Sequence, residues 1–488
     1  MVSRSTDQTV LRHLDWVTVA LYFLLILAGV LSIYAACYNF DNSSIFSSSE
    51  FSGKQIRWIG LALVIAAGIL VLDSRIYEAY ASPFYAGMLL ILLITIFVAP
   101  DIKGSRSWLA FGNFRVQPAE FGKIATALAL AKLFSGYNFR ISTRANLVKA
   151  LLIIFIPVGL ILAQKETGSA LAYMSLFFVL YREGMSGFVL FAAFIAVLFF
   201  VLAMKFADTL FMGIPLGEGL VFICIMILMV VMLVYYCKRY YEARNVAIWF
   251  ASTGLLTWIL HLVGVNINGT IYFLSVIISA CIYCIFLALR FKAKKLIMTT
   301  VAAICSIAFL YSVNFAFNNI LQPHQQQRIK TALGIEEDLL GTGYNVNQAK
   351  IAIGSGGFIG KGFLNGTQTK LKYVPEQHTD FIFCTIGEEQ GFVGAAALVL
   401  IFLALILRVI KISERQPSTF GRVYGYCVAS YLIFHLVINI GMVIGLVPVI
   451  GIPLPLVSYG GSSLWGFTIL LCILLRIDAS RRMHPSYL

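Results

Sequence analysis

Charged residues are scarce in this sequence. Only 12% of its 488 residues are Asp, Glu, Lys or Arg, whereas 60% are hydrophobic. A soluble protein cannot cover its surface at that composition, and no polar stretch is long enough for a soluble domain. The long gaps between charges are typical of membrane helices, each of which needs about 20 apolar residues to span the hydrocarbon.

The charges that are present are mostly basic, with a formal net charge of +14. On a soluble protein this excess would indicate nucleic acid. Here it is interpreted as the Lys and Arg that orient membrane helices, so membrane lipids are expected as partners and nucleic acid is not. The nine cysteines lie in or beside apolar segments, which indicates small core residues and not metal ligands or disulfides.

Fourteen apolar segments follow one another along the chain. The sequence therefore predicts an all-α polytopic membrane protein of about fourteen transmembrane helices, with 1–488 forming a single integral membrane domain. The segments are 15–36, 57–72, 78–99, 118–134, 147–163, 168–181, 187–205, 219–237, 246–264, 269–290, 297–317, 383–409, 422–447 and 459–478.

Basic residues recur at every second connection between these segments. By the positive-inside rule those connections and both termini are predicted to be cytoplasmic. The longest polar segment, 318–380, is then a large extracytoplasmic loop, and long loops are usually functional or disordered. The basic connections contain Arg75, Arg140, Arg144, Lys149, Lys238, Arg239, Arg244, Arg290, Lys292, Lys294, Lys295, Arg408, Lys411, Arg415 and Arg422.

The predicted outer face carries several candidate binding residues. Lys103, Arg106 and Arg115 break the topological rule, which favours an anionic ligand there. Trp108 is interpreted either as an interfacial anchor or as a platform for stacking a sugar. Glu166 is a candidate second carboxylate in a short outer connection.

Asp380 lies where the large loop enters a membrane helix. An ionisable residue at that depth is costly and is a functional hypothesis by default. It suits a general base, although Thr379 or Asp380 could instead cap the helix, and the two roles can coexist. Glu388 and Glu389 lie two turns further on in the same helix. Two adjacent acids in an apolar helix need groups that pair with or bind their charges.

Two other features allow both a structural and a functional interpretation. The run 354–362 matches neither a phosphate loop nor a dinucleotide fingerprint, so it predicts a tight turn of small residues or a glycine-rich turn that approaches a ligand. Glu120 and Lys123, spaced i, i+3 after Pro118, form an intrahelical ion pair or part of a transport pathway.

These pieces occur together and in order in one family. The chain resembles the SEDS proteins (shape, elongation, division and sporulation), and most of all their rod-shape-determining branch. The matching stretches are 104–109, 117–123, the glycine-rich run with 366–368, 375–383, 387–389 and 453–462.

The resemblance implies a peptidoglycan glycosyltransferase of the bacterial cytoplasmic membrane. It would polymerise lipid II at the outer face during cell elongation, on undecaprenyl-pyrophosphate-linked glycan. Its expected partners are a class B penicillin-binding protein with transpeptidase activity and other membrane proteins of the elongation complex. It also implies that Asp380 is the essential carboxylate and that Trp108 is functionally important.

Two departures from the family pattern stand out. Glu166 replaces a family Asp and follows Lys165 where the family has proline. The family has ten helices, so the four extra ones predict an insertion within about 206–296.

The hypothesis for the mechanism has Asp380 deprotonate the acceptor hydroxyl, with the leaving pyrophosphate stabilised by Arg106, Lys123 or a divalent cation such as Mg²⁺. Alternatives are a lipid II flippase or other transporter, and a noncatalytic scaffold. The remaining candidates for substrate binding are Trp108, Glu120, Glu166, Lys361, His378 and Ser458.

Overall fold

The computed structural model describes residues 12–38, 45–46, 50–102, 104–112, 114–211, 213–263, 268–319, 321, 323–335 and 343–483. Apolar sequence makes nearly all of this chain helical, because a helix satisfies its own backbone hydrogen bonds in hydrocarbon. Two short antiparallel hairpins, β1–β2 (Leu109–Phe111 and Phe114–Val116) and β3–β4 (Leu210–Phe211 and Ile214–Pro215), interrupt the helices.

The helices are numbered here in chain order. They are α1 (Trp16–Ala36), α2 (Phe51–Val71), α3 (Ser74–Ala79), α4 (Ala81–Val98), α5 (Pro118–Phe134), α6 (Arg144–Ala163), α7 (Thr167–Met174), α8 (Leu176–Arg182), α9 (Gly187–Lys205), α10 (Leu216–Val231, continued by a π-helix at Met232–Tyr236), α11 (Tyr240–Leu262), α12 (Gly269–Arg290), α13 (Lys294–Asn319), α14 (Pro323–Ala332), α15 (Tyr344–Gly356), α16 (Thr367–Lys370), α17 (Ile382–Glu414), α18 (Thr419–Val443) and α19 (Gly461–Met483).

Eleven helices in the described part of the chain are long and apolar enough to cross a membrane. The other three expected segments are also helical, but they are not among these eleven. Segment 118–134 forms the 17-residue α5, 168–181 is divided into α7 and α8 at Ser175, and 246–264 overlaps α11. The polytopic all-helical fold is confirmed, and the count of about fourteen stays a prediction.

The chain divides into two compact units. The first comprises Met1–Gly187 with Tyr344–Leu488, and the second is Phe188–Gly343. All candidate site residues belong to the first unit, where α17 packs against α1, α15 and α18, and α5 packs against α4 and α18. The expected 206–296 insertion falls within the second unit, and its status relative to the family stays a prediction.

Helix α17 is interrupted at Gly391, whose φ and ψ are 64° and −161°. A Cβ on Gly360 would lie 2.2 Å from the carbonyl oxygen of Glu389, so the glycine-rich run meets the interruption at a distance that only glycine permits. Four backbone hydrogen bonds join 357–362 to 388–393. Residues 354–356 therefore end α15, and 357–362 form the tight turn, whereas the approach of this run to a ligand stays a prediction.

A buried ion network lies at the opposite end of α17. Asp15, with only 2% of its surface exposed, accepts hydrogen bonds from Arg408 (2.7 Å) and Arg415 (3.0 Å). Arg415 also pairs with Asp478 of α19. Burial alone would raise the pKa of Asp15, but hydrogen bonds from Arg408, Thr18 and Arg415 together hold it below its usual range.

We expect Asp15→Asn to lower the free energy of unfolding by about 3 kcal/mol, because it leaves two arginines without their shared carboxylate. Since the folded pKa is depressed, this stabilisation is full above the unfolded pKa of about 3.9 and is lost as the pH falls below it. Thermal unfolding of the purified protein from about pH 7 down to about pH 3 measures both effects, because the loss begins as the pH falls past the unfolded pKa.

The matched control is Arg182→Gln, which breaks the exposed Arg182–Glu414 pair and should cost at most about 1 kcal/mol. Equal losses of stability in the two variants would contradict the structural role of the network.

Candidate functional site

Asp380 lies on the turn that precedes α17, and the backbone around it is held from three sides. The carbonyl oxygen of His378 accepts a hydrogen bond from the amide of Tyr459 (2.9 Å), and that of Thr379 accepts one from Ser458 Oγ (2.7 Å). Asn439 Nδ2 donates to the carbonyl of Asp380 itself (2.8 Å). The position of the carboxylate is therefore set by contacts with 439 and 458–459.

A glycine lies beside this carboxylate. A Cβ on Gly451 would lie 3.4 Å from Asp380 Oδ2, and its φ of +76° favours glycine in any case. Phe381, and not Thr379 or Asp380, occupies the N-cap position of α17, and the side chain of Phe381 makes no capping hydrogen bond. The capping alternative was therefore wrong.

Ser458 belongs to the non-helical segment 447–460, which joins α18 to α19. This side chain is 4% exposed and accepts a hydrogen bond from the amide of Leu454 (2.8 Å) while it donates to Thr379. Its hydroxyl thus both accepts and donates a hydrogen bond within the protein, so Ser458 positions the Asp380 loop.

His378 lies at the edge of a small cavity two residues before Asp380. Its ring is 4.3 Å from that of Phe51 and 5.7 Å from that of Tyr459, centroid to centroid. The cavity has a volume of about 220 Å³ and is also lined by Glu50, Lys372 and Glu376. A cavity lined by charged side chains and by the rings of Phe51 and His378 suits a sugar or a peptide.

The expected ion pair of Glu120 and Lys123 is confirmed, at 2.9 Å, and both side chains are buried. Lys123 Nζ also lies 3.0 Å from His435 Nε2, and His435 Nδ1 lies 3.1 Å from the carbonyl of Pro453. A lysine ammonium and a carbonyl leave His435 one consistent tautomer, in which Nε2 accepts and Nδ1–H donates. The histidine thereby joins the ion pair to the 447–460 segment.

Asn439, one helical turn after His435 on α18, makes the second connection. Its side chain is fully buried, and the same Nδ2 that bonds Asp380 donates to the carbonyl of Ile452 (2.7 Å). His435 and Asn439 therefore bind adjacent carbonyls of the segment that surrounds Asp380.

Arg106, Trp108 and Glu166 belong to two connections between helices that are joined to each other. The amide of Arg106 donates to the carbonyl of Gln164 (3.0 Å), and Glu166 Oε2 accepts from the hydroxyls of Ser105 (3.0 Å) and Ser107 (3.1 Å). Arg106 is exposed and Trp108 is half-buried. Glu166 thus holds the Arg106 loop in place.

These connections also approach the Asp380 loop. A Cβ on Gly168 would be 2.8 Å from the carbonyl of Ile450, next to Gly451. Gln117 bridges the same parts of the chain, since its amide donates to Ser462 Oγ (3.1 Å) and its side chain to Ser169 Oγ (3.2 Å).

Lys361 belongs to a different group of residues. Its Nζ lies 2.7 Å from Glu388 Oε1, and the amides of Gln368 and Thr369 donate to the same fully buried carboxylate. Glu388 therefore has the partners that its position demanded, and the charge of Lys361 is used to stabilise the α15–α17 region.

His435 and Asn439 were missed by the sequence analysis. Both are polar residues at i, i+4 spacing in an otherwise apolar helix, which is itself a signal of function inside a membrane. The partners of both come from distant parts of the chain, so spacing alone could not have identified them.

The described residues contain no group of three or more His, Cys, Asp or Glu side chains placed to hold a metal ion. Mg²⁺ is often held by one carboxylate and substrate phosphates, so a cation carried by the pyrophosphate stays a prediction.

Together the candidate spans and the polar groups held between them define a multi-pass helical membrane protein. The family model of the FtsW/RodA/SpoVE cell cycle proteins matches residues 15–213 and 223–483. The chain therefore belongs to this family, and the resemblance to SEDS proteins is confirmed.

Named relatives match over almost their full lengths. The chain is 29% identical over 451 residues to the peptidoglycan glycosyltransferase RodA of Treponema pallidum, covering 92% of this chain and 94% of that protein. It is 30% identical over 431 residues to the peptidoglycan glycosyltransferase MrdB of Escherichia coli K12, covering 88% and 86%. A solved chain from a peptidoglycan synthase complex shares the fold, with a TM-score of 0.61, 23% identity and coverage of 96% and 98%.

We expect Asn439→Leu to release the Asp380 loop, because leucine keeps the volume of the side chain and removes both hydrogen bonds. The loss should be about 1 to 3 kcal/mol, with faster amide hydrogen exchange in peptides covering 378–382 and 452–460. Asn146→Leu, which removes a solvent-exposed hydrogen bond to Arg140, is the control. Unchanged exchange around Asp380 in Asn439→Leu would contradict this role.

Proposed function

We propose that this chain is a peptidoglycan glycosyltransferase that polymerises lipid II into β-1,4 glycan at the outer face of the bacterial cytoplasmic membrane during elongation. One observation carries the proposal: Asn439 and Ser458 fix the backbone around Asp380, an acid at the start of a membrane helix, in a chain whose relatives bear this activity in their names. Both termini would be cytoplasmic, as the distribution of basic residues predicts.

In the proposed reaction Asp380 accepts the proton of the acceptor's GlcNAc 4-hydroxyl. The hydroxyl oxygen attacks the anomeric carbon of the growing chain, and the bond from that carbon to undecaprenyl pyrophosphate breaks, with its electron pair leaving on the pyrophosphate. Attack from the opposite face converts the α-linkage into a β-linkage by single displacement. A general base must lie within hydrogen-bond reach of the hydroxyl, and the side chain of Asp380 is only partly buried, so an acceptor can approach it.

The leaving pyrophosphate needs positive charge more than it needs an acid. Arg106 is exposed on the outer connection that packs beside the Asp380 loop, so we assign this role to Arg106. Lys123 is enclosed with Glu120 and His435, and we assign it to positioning. Trp108 and His378 would contact the sugars, and a divalent cation would add charge on the phosphates.

A partner is proposed from the solved relative of the same fold. That chain comes from a complex described as coordinating polymerisation and crosslinking. A class B penicillin-binding protein that cross-links the new glycan is therefore the proposed partner, with other membrane proteins of the elongation complex around it.

Transport of lipid II is the alternative, and the interruption of α17 at Gly391 is the feature that favours it, since transporters use broken helices to bind cargo. Here the backbone groups at the break are bonded to 357–362. The backbone hydrogen bonds missing at the break are thus made within the protein, and this supports an enzyme over a carrier.

We expect Asp380→Asn to reduce glycan polymerisation from labelled lipid II by about 10²- to 10⁴-fold, the usual contribution of a general base. Purified protein with and without the transpeptidase is assayed, and unchanged thermal unfolding checks that the variant folds. Asp101→Asn, an exposed acid in the neighbouring outer connection, is the control.

Equal polymer from wild type and Asp380→Asn would remove Asp380 as the base. If the wild type made no polymer with its partner present, but moved lipid II across vesicle membranes, transport would replace synthesis as the function.

We expect Arg106→Gln to lower kcat about tenfold or more, because a charge-assisted contact to the pyrophosphate strengthens as the bond breaks. Arg115→Gln removes an equally exposed arginine from the hairpin next to it and should leave the rate within about twofold of wild type, as expected of a surface change. Equal effects of the two substitutions would assign Arg106 no specific role.

A further inference from the structure

The second unit contains an apolar groove between α9, the α10–π-helix segment and α13. Its volume is about 300 Å³, and twelve of its fourteen lining residues are Phe, Ile, Leu, Val, Met or Ala. Phe191 and Phe199 of α9, Leu228 and Met232 of the α10 segment, and Met298 and Phe309 of α13 define it; we call it the α9–α13 groove.

The groove exists because α9 packs tightly at only one end. Gly217 brings the start of α10 against the last turns of α9, where a Cβ would lie 2.5 Å from the carbonyl of Leu202. The buried residues of α9 are Phe199, Ala203 and Met204, all in its final two turns. The earlier turns therefore diverge from α10 and α13, and the gap opens on a surface that faces lipid tails.

Basic residues lie at the open end of this gap. Lys294 and Lys295 are exposed one turn before Met298, and spacings of three and four residues put them on the same helix face as this lining residue. Lys295 Nζ lies 5.7 Å from the ring centroid of Tyr236, which follows Met232 by four residues.

The ends of the two helices are also joined directly at this point. Cys237 Sγ donates to the carbonyl of Lys295 (3.4 Å), and Lys238 beside it is exposed. Arg239 is partly neutralised by Glu242 at 3.2 Å, whereas Lys238, Lys294 and Lys295 are exposed.

We propose that the α9–α13 groove binds one anionic phospholipid of the bilayer. An acyl chain fills the apolar part, and the phosphate lies against Lys294, Lys295 and Lys238. Basic pockets between membrane helices at the cytoplasmic surface are suited to such head groups, and the positive-inside rule predicts that this end is cytoplasmic. The site is separate from the glycosyltransferase site of the first unit.

The test uses full-length purified protein in a neutral detergent. Phosphatidylglycerol with a photoactivatable diazirine in its acyl chain is crosslinked, and the labelled peptides are identified by mass spectrometry. We expect labels on α9, α10 and α13 that unlabelled phosphatidylglycerol displaces about tenfold better than phosphatidylcholine with identical chains, the size expected from two or more lysines near a phosphate.

Two substitutions separate the head group from the tail. The double variant Lys294→Gln/Lys295→Gln should abolish the preference for phosphatidylglycerol, whereas Lys149→Gln, an exposed lysine of the first unit, should leave it unchanged. Ala302→Phe should fill the groove and remove the labels from α13, and Ala251→Leu on the exposed face of α11 is its control.

Equal displacement by the two lipids, or a preference that survives in the double variant, would overturn the proposal. Labels spread evenly over all lipid-facing helices would do the same. The comparison of the two lipids uses the wild-type protein alone. It therefore still tests the proposal if a variant fails to fold.

Discussion

The candidate site depends on how backbone carbonyls are satisfied where the chain is not helical. Non-helical backbone near a membrane is tolerated only where protein or water supplies the missing hydrogen bonds. Segments 378–380 and 452–459 both run without helical structure around Asp380. Asn439 satisfies one carbonyl of each with a single amide, and Ser458 and Tyr459 satisfy two more. The same bonds that stabilise these segments therefore also determine where the carboxylate lies.

The interruption of α17 follows the same rule by a different route. At Gly391 the helix stops supplying its own bonds, and backbone hydrogen bonds with the glycine-rich run replace them. That close approach buries Glu388, whose carboxylate is then neutralised by Lys361 and by two amides. A buried carboxylate without such partners would be strongly destabilising. The 354–369 region is thus a scaffold for the helix that begins beside Asp380.

Hydropathy was sufficient to predict most of the fold. Segments such as 118–134 and 269–290 coincide with observed helices to the residue, because the apolar length needed to cross a membrane is a property of each segment alone. The Glu120–Lys123 pair could also be predicted from the sequence, because its two residues lie in one helical turn. The roles of Glu166, Lys361 and His435 could not be predicted, because each depends on a partner many residues away. The division of 168–181 was missed for a smaller reason: Ser175 bonds the carbonyl of Ala172 inside an apolar run.

The two basic residues proposed for charge stabilisation differ most in what surrounds them. Lys123 is buried against one carboxylate and one imidazole, so its charge is already compensated, and drawing it toward a phosphate would leave Glu120 buried and unpaired. Arg106 is exposed, and its backbone amide bonds Gln164. A planar guanidinium at the surface can meet two phosphate oxygens at once and follow them as charge develops. The structure therefore places Lys123 in a buried ion pair and Arg106 at the surface, and this difference is why the proposal gives the pyrophosphate to Arg106, although the sequence alone had treated the two as equivalent.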